Sequence, residues 1–103
     1  MQAGELMIIE MATIQEGKAG EAREAQLHSV ELIGQMPGVH HAWAIQDQAN
    51  PCEQAIILVV DAARWPDIQR EIDEAEWHKE LVPRVLPLIV RERVRRVIGP
   101  AVR

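Results

Sequence analysis

The stretch "EAEWHKEL", Glu74 to Leu81, holds the residue best suited to acid–base chemistry in this chain. A free imidazole titrates near neutrality, so His78 can take up and return a proton at ordinary pH. Trp77 beside it, with Leu81 one helical turn beyond that tryptophan, supplies an apolar wall that would keep water from the ring. The competing reading is structural. A histidine among Glu74, Glu76 and Glu80 is also an ordinary polar residue on a solvated helix. Where the imidazole points decides between the two.

Other residues offer less. His40 and His41 are adjacent in "VHHAWAIQ". Neighbours on a regular strand project to opposite faces, so the two cannot chelate one ion together. With no Asp, Glu or Cys at ligand spacing, no metal site is expected. His28 and Ser29 adjoin on a helix, but no Ser-His-acid arrangement accompanies them. Glu10 sits inside an apolar strand, where a carboxylate is costly unless paired. The last strand carries Arg91, Arg93 and Arg95 on one face and Arg96 on the other. A cross-strand Glu10–Arg pair is expected, inside or beside a subunit interface. A cavity lined by arginine would favour an anionic substrate. Met7, Ile9 and Met11 share a strand face and would make an adaptable apolar lining, joined by Ile72, Trp77 and Leu81. Trp43, Trp65 and Trp77 are packing residues first, with flat faces that can stack on a planar ligand.

Composition narrows the classes. The 103 residues fit one domain spanning positions 1–103. Three Trp with no Phe and no Tyr exclude any chemistry that needs a phenol. The net charge of −5 argues against nucleic acid as a partner. The charge is uneven: six acids lie between Asp67 and Glu80, and six arginines between Arg84 and Arg103. The simplest account is an acidic helix and a basic strand. The lone Cys52 cannot form an internal disulfide. No apolar segment approaches the roughly 20 residues that span a bilayer, and no secretory leader is visible. A soluble, cytoplasmic protein is expected, with no membrane partner.

The elements that must position these residues follow from periodicity. "ELMIIEMAT" (5–13) reads as a strand, and a stripe of Ala22, Ala25, Ser29, Leu32, Ile33 and Met36 marks a helix over 21–36, ended by Pro37-Gly38. "VHHAWAIQ" (39–46) and "QAIILVV" (54–60) read as strands around a turn. A second helix starts at Pro66-Asp67 with Trp65, Ile68, Ile72 and Ala75 inward, and runs brokenly to Pro83 and Pro87. "LIVRERVRRVI" (88–98) is the last strand. The order β-α-β-β-α-β predicts a ferredoxin-like α+β fold, an antiparallel sheet with helices on one face. Strands 1 and 3 are apolar on both faces, so a second copy is needed to cover the open one. A homodimer is expected.

The β-α-β-β-α-β order, the helix-ending "MPGV", the apolar third strand and a histidine after the second helix together resemble the stress-responsive A/B barrel domain family, within the dimeric α/β-barrel superfamily. The resemblance spans about Leu6 to Ile98. Family members carry His-Pro-x-His after the second helix. Here the stretch is "AEWH", with Ala75 and Glu76 in place of the first two residues and His78 as the last. The resemblance implies a dimeric α/β barrel and a small-molecule pocket between sheet and helices. One branch is similar to polyketide cyclases, which need no cofactor and use that last histidine as base. Its tyrosine and strand histidine are replaced here by Ile72 and Met7.

The function expected from these residues is binding, and cofactor-independent acid–base conversion, of a small, planar, anionic organic molecule. His78 would act as base in a polyketide-cyclase-like or lyase-like step. The first alternative is a non-catalytic dimer that binds a small molecule or a partner. The second is a cofactor-free or haem-degrading monooxygenase of the same superfamily. The haem-degrading type places an Asn in the first strand, whereas the only Asn here is Asn50, in a turn.

Overall fold

Strand alternation and two helical stripes account for most of the architecture. The computed structural model describes residues 4–100; Arg103, counted above with the basic segment, lies outside them. The elements run β1 (Glu5–Ile14), α1 (Ala19–Ile33), β2 (Val39–Gln46), β3 (Glu53–Asp61), α2 (Trp65–Glu74), α3 (Glu76–Val85) and β4 (Ile89–Gly99). Short 3-10 segments precede α2 and follow α3. The sheet order is β2-β3-β1-β4, with every neighbouring pair antiparallel. This is the ferredoxin-like α+β fold, with the helices gathered on one face by the two crossovers. Among the described residues no helix is long and apolar enough to cross a membrane.

The core lies between that face and the helices. Ile8, Leu58 and Val60 from the sheet meet Ile33 of α1 and Trp65 and Ile68 of α2. Ile8 and Val60 are wholly buried and Ile68 nearly so. A second cluster of Ile14, Ala22 and Leu88 closes the far end. Gln54 ties the β2–β3 turn to the start of α1, donating to the carbonyl oxygens of Ala19 at 2.9 Å and Pro51 at 3.0 Å.

The helix expected to reach Met36 stops at Ile33. Gly34 follows, where a Cβ would come within 3.0 Å of the Val30 carbonyl oxygen. Gly38 then reverses the chain into β2 at φ +91°, a conformation that costs other residues strain. Ala75, expected on the buried stripe of the second helix, instead breaks it. Its extended ψ of 137° separates α2 from α3 and lets the chain change direction there.

Among the described residues no helix covers the other sheet face. Met7, Ile9 and Met11 alternate away from the core residues Ile8 and Ala12, opposite Val59, Ile57 and Ala55 of β3. Trp43, Ile45 and Val97 flank them, each about half exposed (46%, 52% and 48%). His41 stacks flat on Trp43, with ring centroids 4.8 Å apart and planes 12° apart. A register shift between Val39 and His41 corrects the expectation of regular alternation for the histidine pair. Such a bulge adds a residue to one strand and re-aims its side chain. His40 accordingly reaches the Glu5 carboxylate.

The core assignment makes a direct prediction. Ile8→Ala should destabilise the protein by about 2–5 kcal/mol, whereas Ile45→Ala, half exposed, should cost a monomer far less. Urea denaturation measures both, and an Ile8→Ala cost below that of Ile45→Ala would contradict the assignment.

Candidate active-site cleft

A cleft of about 370 Å³ opens between the helix-bearing face of the sheet and the helices, within the size range of small-ligand sites. Its floor is Ile56 and Leu58 of β3 with Ala12 of β1, and α1 contributes Ala25, Ser29 and Ile33. Its far wall comes from α2 and α3. After the break at Ala75, α3 places Trp77, His78 and Leu81 in the cleft lining. The amide nitrogens of His78 and Lys79 both donate to the Ala75 carbonyl oxygen at 3.1 Å, fixing the first turn.

His78 is half-buried and lines the cleft. Its ring meets Trp77 edge to face, with centroids 5.7 Å apart and planes at 87°. The tryptophan also packs against the core, so the pair is anchored on one side. Glu74, Glu76 and Glu80, its acidic neighbours in sequence, are exposed and absent from the lining.

Of the residues expected to contact substrate, Ile72, Trp77 and Leu81 line the cleft with His78. Met11 borders it where β1 passes beneath. Met7 and Ile9 do not, because their places in the strand alternation put them on the open face. The same alternation puts Glu10 and Arg96 in the cleft, not at the edge of the open face as expected. Glu10 Oε1 lies 3.7 Å from Arg96 Nη2, and the guanidinium carbon stands 5.5 Å from the centre of the Trp65 ring. The expected pairing of Glu10 with an arginine of the last strand forms, but on the helix-bearing face. The signal was present in Ile8 and Ala12, two positions either side of Glu10 and both core contacts.

The other polar residues of the lining are Gln26, Ser29, Gln69 and Asp73. The Ser29 hydroxyl donates to the Ala25 carbonyl oxygen at 3.0 Å, a bond within its own helix, which suits a structural residue and not a nucleophile. His28 is exposed on α1. Asn50 serves the β2–β3 turn, accepting from the Cys52 amide at 3.2 Å. Among the described residues, no three His, Cys, Asp or Glu side chains are grouped to hold a metal ion.

Comparison with known proteins bears on the fold. No protein-family model matches the sequence, and no curated protein does. Solved structures do. A structure of an antibiotic biosynthesis monooxygenase is similar over 95% of this chain and 99% of its own, with a TM-score of 0.77 at 21% identity. SnoaB, a cofactor-independent oxygenase from Streptomyces nogalater, is similar over 98% of this chain and 96% of its own, with a TM-score of 0.77 at 13% identity. PA3566 from Pseudomonas aeruginosa covers 100% and 99%, with a TM-score of 0.80 at 15% identity. Two of these three are named as oxygenases, and none as a stress-responsive barrel protein. The chain has the ferredoxin-like α+β fold of the antibiotic biosynthesis monooxygenase structures.

Proposed function

We propose that this protein is a cofactor-independent oxygenase of a small, planar, anionic organic molecule that carries an acidic C–H beside a carbonyl. The observation that carries the reading is His78, half-buried and held edge-on to Trp77 in a cleft whose lining is mostly apolar. The fold shared with a cofactor-independent oxygenase supports the choice of O2 as the second reactant.

His78 takes the proton from the carbon next to the carbonyl, leaving an enolate. The enolate gives an electron pair to O2, and a C–O bond forms as a peroxide. The imidazolium returns its proton to the peroxide. Loss of the second C–H proton and cleavage of the O–O bond leave a new C=O and release water. The carbon is oxidised, one oxygen atom enters the product and the other leaves in water. The apolar walls limit water and so strengthen each charge interaction in the site. The same enolate would feed an aldol cyclisation or a lyase-like step, so the histidine's role is common to those readings and O2 distinguishes them.

The test is O2 uptake with 2-oxoindane-5-carboxylate, a planar anionic ketone whose acidic methylenes lie beside the carbonyl. The wild type should consume O2 and form the 1,2-diketone. His78→Ala should lower the rate by about 100-fold or more while the circular dichroism spectrum stays unchanged. A variant as fast as wild type would sink the role of His78. Product formed without O2 would favour the cyclase-like or lyase-like reading. Neither O2 uptake nor deuterium exchange beside the carbonyl would leave a binding module.

The assembly belongs to the same reading. Two copies pairing their open sheet faces would bury Trp43, Ile45 and Val97, which a lone copy leaves half in water. Light scattering at micromolar concentration should give twice the 11.6 kDa chain mass, and Trp43→Glu should shift it toward one. A stable wild-type monomer would refute the pairing.

A further inference from the structure

The proposed reaction explains His78 and the apolar walls of the cleft but gives no role to its charged side. Glu10, Asp73 and Arg96 line the same cleft. Arg96 is the cation among them, and its placement is unusual. Its guanidinium stands over the Trp65 ring at 5.5 Å and near the Glu10 carboxylate at 3.7 Å. Trp65 is buried and also lines the cleft, so the aromatic surface is fixed by the core.

The ion pair is loose. A separation of 3.7 Å is longer than a charge-assisted hydrogen bond, which closes to about 2.7–2.9 Å. The two side chains are 37% and 51% exposed, so solvent screens their attraction. Glu10 therefore neutralises Arg96 without occupying its hydrogen-bonding fork. A carboxylate arriving through the cleft can take that fork bidentately, while its ring system lies along the tryptophan-lined wall. Arg96 stands across the sheet from Glu10, in register on neighbouring strands, so both are held by the sheet and not by a loop.

We infer that Arg96, stacked on Trp65 and held in reserve by Glu10, is the specificity determinant of the cleft, and that it selects planar aromatic carboxylates over their neutral counterparts. The inference rests on the cleft being the ligand site, as proposed above. Arg96 binds and positions. It takes no proton, because a guanidinium stays charged. Glu10 sets how strongly the site discriminates, since a competing counter-ion must be displaced each time a ligand carboxylate enters.

Isothermal titration with 2-naphthoate and its neutral amide, 2-naphthamide, tests this on the full chain. The wild type should bind naphthoate at least about tenfold more tightly than naphthamide, and added salt should narrow the gap. Arg96→Met keeps much of the stem that packs on Trp65 and should erase the preference while naphthamide affinity holds. Glu10→Gln should widen the preference. Equal affinity for the two probes in the wild type, or an unchanged preference in Arg96→Met, would overturn the assignment while leaving the cleft as a binding site. An unchanged preference in Glu10→Gln would overturn the counter-ion role. Binding of neither probe at millimolar concentration would overturn it together with the cleft reading. Should Arg96→Met fail to fold, Arg96→Lys keeps the charge without the fork and should lose most of the preference; retention in full would count against it.

Discussion

A β-strand sends its side chains alternately to two faces, and in β1 that constraint governs both halves of the molecule. Ile8, Ala12 and Ile14 turn toward the helices and build the core, while Met7, Ile9 and Met11 turn away. Glu10 falls between two inward residues, so a carboxylate is carried into the cleft by strand geometry alone. Arg96 follows because β4 pairs with β1 in register. A slip of one residue would exchange the core for the open face and take Glu10 out of the cleft.

The helical side depends on a smaller device. Had α2 continued through Ala75, the chain would have followed one axis and presented one stripe, that of Trp65, Ile68 and Ile72. One extended residue resets the direction, and α3 offers a second inward surface made of Trp77, His78 and Leu81. Both short helices wall the cleft, with Ile72 of α2 and Trp77, His78 and Leu81 of α3 in its lining. Its aromatic walls are thus supplied by two elements: Trp65 sits in the core cluster itself and Trp77 packs against it.

Much of this was legible in the sequence. The four strands and their order followed from apolar runs and turn signals, and β2 was bounded at the same residues that the structure gives, Val39–Gln46. The "AEWH" segment pointed to a histidine that does line the cleft. What escaped was orientation within elements. An apolar strand bounded on both faces by hydrophobic residues does not announce which face meets the helices, so composition alone does not separate Met7 and Ile9 from the lining. A bulge inserts one residue without a compositional mark, so the pair of His40 with Glu5 could not be read from spacing. Ala75 has high helical propensity, and only its position between two amphipathic stripes betrays the break.

The aromatic inventory has a consequence for how this molecule can be watched. With no tyrosine and no phenylalanine, all of its near-ultraviolet emission comes from three indoles. Two of them, Trp65 and Trp77, look into the cleft, while Trp43 looks out from the opposite side of the sheet. Light absorbed by the protein is therefore reported from two separated compartments. A solute that enters the cleft perturbs one pair of emitters and leaves the third in its own surroundings, whereas contact on the open face does the reverse. The chain carries a two-channel optical readout in its own side chains, and no label is needed to tell occupation of the cleft from burial of the sheet.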